Sequence, residues 1–322
     1  MDYLFPASGV ETNILIPPLV ALVISMFTSM GGISGTFLIL PFQMSYLGYT
    51  SPSVSATNFV FNIVAIPSGV YRYIREGRMA WPLTWVVVLG TLPGVFAGYY
   101  LRVRFLPDPR TFKLFVGCVL LYIGGRLLFE MTGRAASTKG KSLALELKFR
   151  QRAKEFKAQQ NARLASGLPK EAVVKTVSVN LSRVTYEFWG EQFSFSTPGM
   201  FALALVVGVI GGTYGIGGGA IIAPFCVAVF RLPVYTVAGA ALMGTFITSI
   251  AGVIFYSLVP LSNGAAAAPD WRLGILFGVG GFVGMYLGAR FQKFVPQKLL
   301  KLMIGAIIVL LAGSYIFQFF SH

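Results

Sequence analysis

A succession of long apolar stretches constrains this chain more than any other feature. Each stretch has about twenty apolar residues, enough for a helix to cross a hydrocarbon core of roughly 30 Å. Hydrophobic residues fill 55% of the 322 positions and charged residues only 11%, which is unlike a soluble globular protein. We therefore predict an all-α polytopic membrane protein.

The residues up to Thr12 include no Lys or Arg, so the charged start of a secretory signal is missing and the first stretch is expected to remain as a span.

The stretches fall into two related halves. Gly32-Ile33-Ser34-Gly35 followed by Pro41 matches Gly215-Ile216-Gly217-Gly218 followed by Pro224 at a constant offset. In each half we predict a helix, a Gly-rich break, a short helix and three further helices. Later in each half, glycines recur every four residues, a spacing typical of close helix packing in membranes. These are Gly90, Gly94 and Gly98, and Gly280, Gly284 and Gly288. The predicted helices are 14–30, 36–47, 52–74, 81–101 and 109–129, then 198–213, 220–230, 234–258, 271–291 and 297–319.

The domain boundaries follow from the switch to polar sequence between the halves. We predict a first transmembrane repeat over 1–132, a basic linker over 133–197 and a second transmembrane repeat over 198–322. Around 146–163 the linker is either a basic amphipathic helix near the membrane or a solvated segment. Lys and Arg collect on the cytoplasmic side of membrane proteins. Their distribution predicts two inverted-topology repeats in a bacterial inner membrane, with the linker cytoplasmic and both termini periplasmic.

The two Gly-rich breaks are the candidate binding site. A helix that is interrupted there leaves free amide N–H groups at the start of the next helix, and these amides and the helix dipole favour an anion. Transporters built from inverted repeats bind their substrates at such broken helices. Close helix packing is the alternative explanation for the glycines. The candidate residues in the breaks are Gly32, Ser34, Gly35, Thr36, Gly215, Gly217, Gly218 and Gly219.

Polar residues on the helices after the breaks extend the candidate site. Unpaired hydrogen-bonding groups are costly in hydrocarbon, so they need either a helix partner or a ligand, and both explanations remain open. These residues are Thr57, Asn58 and Asn62 in the first half and Thr245, Thr248 and Ser249 in the second. Asn58 and Asn62 are four residues apart and share one helical face. No charged residue stands clearly inside a predicted span, so amides, hydroxyls and carboxamides would hold the anion.

Other classes of function fit the sequence less well. The only histidine is His322, and no set of nucleophile, base and orienting residue can be assembled, so we do not predict an enzyme. Cys118 and Cys226 lie in apolar stretches and indicate no metal site; no cofactor is expected. The net charge of +15 does not indicate nucleic-acid binding, because Lys and Arg are concentrated in linkers and at span ends. A scaffold or receptor that uses the linker would leave the paired breaks unexplained.

The breaks before Pro41 and Pro224, together with Ala56-Thr57-Asn58 and the segment from Thr245 to Ser249, resemble the TauE/SafE, or sulfite exporter, family of membrane transporters. The resemblance covers both halves but not the linker. It implies a secondary transporter, usually an exporter, of sulfite, sulfoacetate or other organosulfonates. We expect alternating access around a site between the halves, and a channel-like facilitator of inorganic or carboxylate anions is the alternative. The chain departs from the family pattern at Ser34 and Thr36, where the second half has glycine.

The expected partners follow from this interpretation. They are a small anionic substrate and the lipid bilayer. A homodimer is left open, and the basic linker is expected to bind anionic lipid or a further partner.

Overall fold

The computed structural model describes residues 2–30, 34–75, 77, 79–129, 173–188, 190–259, 267–291 and 297–321. The predicted basic helix around 146–163 lies outside these residues. In the first half the helices are α1 (Ile16–Met30), α2 (Thr36–Ser45), α3 (Ser53–Ala65), α4 (Pro67–Arg75), α5 (Trp81–Arg104) and α6 (Pro109–Phe129). In the second half they are α7 (Thr197–Tyr214), α8 (Gly218–Ala228), α9 (Val234–Leu258), α10 (Trp271–Phe291) and α11 (Gln297–Phe320).

The helices confirm the predicted all-α membrane architecture. Within the described ranges, seven helical segments are long and apolar enough to cross a membrane, and one of these, Ser53–Arg75, is α3 and α4 taken together. Residues 16–29 and 36–45 form shorter apolar helices. The predicted helix over 52–74 divides into α3 and α4 at Ile66. Pro67 explains this division, because proline has no N–H to continue the hydrogen-bond ladder of α3.

The helices of the two halves pack against each other in a reciprocal pattern. α1 packs on α10 and α5 packs on α7. With α3 and α4 counted as the one helix that the sequence predicted, the first helix of each half therefore contacts the fourth helix of the other. Likewise, α3 packs on α10 and α9 packs on α5, while α6 and α11 contact each other. The internal repeat of the sequence is thus reflected in which helices touch.

Glycines make the two closest of these helix contacts feasible. A Cβ at Gly90 would lie 2.6 Å from the Cβ of Ala204 on α7. Side chains at Gly94 and Gly98 would collide with backbone carbonyls of α7, and side chains at Gly280, Gly284 and Gly288 would collide with those of α1. The prediction that these six glycines serve close helix packing is confirmed.

Two small antiparallel sheets, which the sequence analysis did not predict, lie outside the helices. β1 (Asp2–Phe5) and β2 (Val10–Asn13) form a hairpin before α1. β3 (Lys175–Val179), β4 (Arg183–Phe188) and β5 (Glu191–Ser196) form a sheet in the order β3-β4-β5 within the predicted linker. Both sheets are short compared with the helices.

Each sheet is attached to one end of the helix bundle. In the hairpin, the Ser8 backbone N–H and hydroxyl donate to the Asp270 carboxylate at the start of α10, at 3.1 and 2.7 Å. In the sheet, the Tyr186 and Thr236 hydroxyl oxygens lie 2.8 Å apart, and Thr236 lies near the start of α9. The N–H of Val174, just before β3, donates to the Gly77 carbonyl between α4 and α5. The sheet is therefore attached near the start of the 25-residue helix α9, and the hairpin is attached at Asp270, which follows the end of α9 in the chain.

Candidate functional site

The second Gly-rich break interrupts a helix, as predicted. α7 ends at Tyr214, and Gly215 follows with a φ of 89°. Gly217, just before α8, has a φ of 75°. Residues with a Cβ rarely adopt positive φ, so these two positions favour glycine strongly. Between them the chain turns at Ile216, which is fully buried.

Close packing accounts for the next two glycines of this break. A Cβ at Gly218 would lie 2.7 Å from the Cβ of Thr91 on α5. A Cβ at Gly219 would lie 2.6 Å from the Thr245 hydroxyl oxygen and 2.7 Å from the Thr245 nitrogen on α9. Interiors are packed too closely to accept such overlaps. The packing explanation therefore applies to Gly218 and Gly219, and ligand binding by their amides stays a prediction.

The first break is lined by hydroxyl groups. The predicted candidate Gly32 lies outside the described residues, whereas Ser34, Gly35 and Thr36 lie within them. The hydroxyl oxygens of Ser34 and Thr36 are 2.8 Å apart. A Cβ at Gly35 would lie 2.7 Å from the Ser25 hydroxyl oxygen of α1. Ser25 is fully buried, and in the described part of the chain its hydroxyl has no hydrogen-bond partner.

Asn62 on α3 joins the two breaks. Its carboxamide oxygen accepts a hydrogen bond of 2.7 Å from the Thr36 hydroxyl of the first break. Its amide nitrogen donates to the Ile216 carbonyl of the second break and to the Ser249 hydroxyl of α9, both at 3.2 Å. All four residues are buried in the bundle. Through this one side chain the structure joins four of the predicted elements of the site, namely the two breaks, α3 and α9.

Asn58 lies on the same face of α3 but has no such bonds. Ser55, three residues earlier, donates to the Thr213 carbonyl at the end of α7, at 3.0 Å. Asn58 therefore lies between two side chains that both bind backbone near the second break. It is fully buried, yet neither carboxamide atom has a hydrogen-bond partner among the described residues. Burial of an unpaired amide is costly, so Asn58 needs an explanation other than helix packing.

Thr57, also predicted as a site residue, has different neighbours. Its hydroxyl donates to the Ser53 carbonyl at 2.9 Å and accepts from the Asp270 backbone N–H at 2.9 Å. The Tyr49 hydroxyl lies 3.0 Å away. Burial raises the pKa of Tyr49 to about 12, so this phenol stays protonated at neutral pH. Thr57 is hence satisfied within a network that ties α3 to the start of α10, and the structure does not bring it to the breaks.

The three predicted residues of α9 differ in their positions. Ser249 bonds to Asn62, and a Cβ at Gly217 would lie 2.9 Å from the Thr245 methyl carbon, so both Ser249 and Thr245 face the second break. The hydroxyl of Thr248 donates to the Gly244 carbonyl of its own helix at 2.6 Å. Thr248 is thus bonded within α9 rather than to a break.

The sequence analysis missed several buried polar side chains, among them Ser25, Ser55, Gln43 and Arg102. Gln43 on α2 is fully buried, and in the described ranges neither of its carboxamide atoms has a partner. Arg102 was expected outside the spans, but α5 continues past Leu101 and Arg102 is fully buried. Its guanidinium donates to the Thr50 carbonyl at 2.9 Å and lies 3.6 Å from the centre of the Phe112 ring. A polar residue inside an apolar helix was the available signal for Gln43 and Arg102.

The site offers hydrogen bonds rather than reactive groups. The side chains gathered at the breaks are hydroxyls and carboxamides, which donate to an anion without themselves carrying charge. Within the described residues, no group of three or more His, Cys, Asp or Glu side chains could hold a metal ion. This chemistry suits reversible binding of a small ion.

Comparisons with known proteins identify the family. The family described as sulfite exporter TauE/SafE matches residues 18–315. A probable membrane transporter protein YunE of Bacillus subtilis (strain 168) is 23% identical over 131 residues, and a probable membrane transporter protein YdhB of the same organism is 29% identical over 123 residues. The matched segments span 40% and 38% of this chain and 45% of each relative. No solved structure gives a significant match. The chain belongs to the sulfite exporter TauE/SafE family of membrane transporters.

Proposed function

We propose that this transporter exports small sulfur-containing anions, such as sulfite or organosulfonates, by alternating access around a site between its two halves. The main support for the proposal is the set of hydrogen bonds made by Asn62. This one carboxamide of the first half bonds to Thr36 in one break and to Ile216 in the other. A substrate that competes for these bonds would couple its own binding to the contact between the halves.

The neutral character of the site supports an anionic substrate. A buried carboxylate would repel an anion, whereas the amide of Asn58 and the hydroxyls of Ser25 and Ser249 offer donors inside the bundle. Charge-assisted hydrogen bonds to an oxyanion are stronger than neutral ones. The sulfur-containing class is taken from the family, whose description is that of sulfite exporters.

The attachment of the sheets supports the proposed topology. The basic linker carries the sheet that contacts Gly77 and Thr236 at one end of α9. At the other end, the hairpin binds Asp270, and the Arg110 guanidinium donates to the Phe319 carbonyl near the C-terminus at 2.9 Å. If the linker is cytoplasmic, as its charge favours, both termini are periplasmic in a bacterial inner membrane. The repeats over 1–132 and 198–322 are then inverted, on either side of the linker over 133–197.

Counterflow in proteoliposomes tests the proposal. Purified full-length protein is reconstituted, the vesicles are loaded with sulfite, and entry of labelled sulfite is measured over a range of external concentrations. We expect saturable entry that is accelerated by sulfite inside. Asn58→Leu should reduce this entry at least tenfold, because it removes the buried amide. The matched variant Asn180→Leu, at an exposed position between β3 and β4, should not.

Two results would contradict the proposal in different ways. Entry that does not saturate and shows no acceleration by internal sulfite would favour the channel-like facilitator. No entry of sulfite, sulfoacetate or taurine above empty vesicles would refute the sulfur-containing substrate class.

A further inference from the structure

Gln43 on α2 is a buried carboxamide that the proposed site does not yet use. It is fully buried, and within the described chain neither its amide nitrogen nor its oxygen has a hydrogen-bond partner. Gln43 lies seven residues after Thr36, which is close to two helical turns, so the two side chains share one face of α2. Thr36 on that face bonds to Asn62. Gln43 therefore faces the helix that carries the candidate site.

The register of α2 against α3 places Gln43 at nearly the same level as Asn58. Thr36, at the start of α2, bonds to Asn62 near the end of α3. At the other end, the Tyr49 N–H donates to the Gln43 carbonyl and the Tyr49 hydroxyl lies 2.6 Å from the Ser53 hydroxyl. The helices are thus antiparallel. From the level of the Thr36–Asn62 bond, Gln43 lies about 10 Å along α2 and Asn58 about 6 Å along α3, so the two differ by only about 4 Å along the seam.

These two carboxamides leave four polar atoms without partners in the described residues: the amide nitrogens and the oxygens of Gln43 and Asn58. The nitrogens are donors and the oxygens are acceptors. An oxyanion that carries no hydrogen satisfies the nitrogens but brings its negative charge against the two oxygens. A ligand that both accepts and donates satisfies all four atoms.

We propose that Gln43 and Asn58 together select the substrate, and that they bind an oxyanion that also carries a hydrogen-bond donor, such as hydrogen sulfite, a hydroxysulfonate or an aminosulfonate. The sulfur oxygens accept from the two amide N–H groups, while the hydroxyl or ammonium group of the ligand donates to the carboxamide oxygens. This inference rests on the proposed transport function and adds to it the residue Gln43 and the need for a donor on the substrate.

A matched series of ligands tests the need for a donor. Ethanesulfonate, isethionate and taurine share a two-carbon sulfonate and differ in whether the second carbon carries no donor, a hydroxyl or an ammonium group. Binding to the purified full-length protein in nanodiscs is measured by calorimetry. We expect isethionate or taurine to bind about tenfold more tightly than ethanesulfonate, the effect of one buried hydrogen bond. Equal affinity for the three ligands would overturn the inference.

The variant Gln43→Met tests the role of the residue. Methionine has a similar length but no hydrogen-bonding group, so the variant removes two unpaired polar atoms. We expect the melting temperature without ligand to stay unchanged or to rise, and the preference for isethionate over ethanesulfonate to fall to about twofold or less. Gln318→Met, the same change at an exposed position of α11, is the control and should alter neither quantity. A structural role for Gln43 predicts the reverse pattern, with a lower melting temperature and an unchanged preference.

A double variant asks whether the two carboxamides hold one ligand. If Gln43→Met and Asn58→Leu disrupt the same bound group, their combined loss of isethionate affinity will be smaller than the sum of the single losses. Fully additive losses would show that they act separately and would overturn the pairing. If the protein transports sulfite but Gln43→Met leaves the preference for isethionate over ethanesulfonate unchanged, this inference alone is refuted. If no ligand of the series is bound or transported, the proposed function is refuted as well.

Discussion

Replacing Asn62 by leucine removes the side chain that links the two Gly-rich breaks. The resulting loss in the free energy of unfolding can be worked out from three hydrogen bonds. The variant loses the bond of 2.7 Å from Thr36 and the bonds of 3.2 Å to Ile216 and Ser249. Interhelical hydrogen bonds in membrane proteins contribute about 0.6 kcal/mol on average and at most about 1.7 kcal/mol. Three such bonds amount to about 2 kcal/mol. The buried Ile216 carbonyl, left without this donor, adds about 1 kcal/mol, so we expect the free energy of unfolding to fall by about 3 kcal/mol.

The same substitution at Asn58 is the matched comparison. Asn58→Leu brings the same increase in side-chain volume at a buried position one turn away, but it breaks no hydrogen bond within the described residues. Relief of the unpaired amide offsets the overpacking, so the free energy of unfolding should change by less than about 1 kcal/mol. Both variants are measured by equilibrium unfolding in mixed micelles of detergent and SDS. If Asn58→Leu loses as much stability as Asn62→Leu, Asn58 has structural partners and the reasoning that makes it a ligand residue is refuted.

Three further predictions concern individual contacts elsewhere in the helix bundle and at its ends. Gly219→Ala should abolish the yield of monodisperse protein in size-exclusion chromatography, because a Cβ there overlaps α9, whereas Gly313→Ala, with open space around it, should fold and gain up to about 1 kcal/mol. Arg102→Lys keeps the charge but not the planar fork, so it should cost about 2 kcal/mol of unfolding free energy in the same titration, and no loss would contradict the buried clamp. Asp270→Asn weakens the bonds from the hairpin, so amide hydrogen exchange over residues 2–13 should speed up, and unchanged exchange would show that other contacts hold the hairpin.

The helices were largely predictable from the sequence, because in a membrane protein the length of each apolar stretch and the glycine, proline and polar residues that bound it determine where a helix begins and ends. α6 and α10 have the predicted bounds, since Pro109 and Trp271 mark starts that apolar residues then extend. The division of α3 from α4 was missed although Pro67 is visible in the sequence, because some membrane helices tolerate an internal proline. The five strands were missed because they are four to six residues long, and so short a pattern carries little signal beside the apolar helices.

The candidate site was predictable in outline but not residue by residue. Both breaks and Asn62 were predicted, because clustered glycines and a carboxamide inside an apolar helix are visible in one sequence. Thr57 and Asn58 are adjacent and equally polar, yet about 100° of helical rotation directs one toward Asp270 and the other toward the face of Asn62. Gln43 was visible as a polar residue inside an apolar helix, but its burial without a hydrogen-bond partner among the described residues is known only from the structure. Which polar residue lacks a partner is a property of the tertiary contacts, not of the sequence pattern.

The two halves share a helix arrangement but divide the chemistry between them. At equivalent positions the first break has Ser34 and Thr36, whose hydroxyls form hydrogen bonds, and the second has Gly217 and Gly219, which bring α8 close to α9. The buried carboxamides without partners in the described residues, those of Gln43 and Asn58, both belong to the first half. A single small ion needs only one set of ligands, so the second half can be specialised for close packing. Asn62 bonds to Ile216 across the halves. A motion that separates these two residues has to break that bond, and a substrate that replaces it would offset the loss.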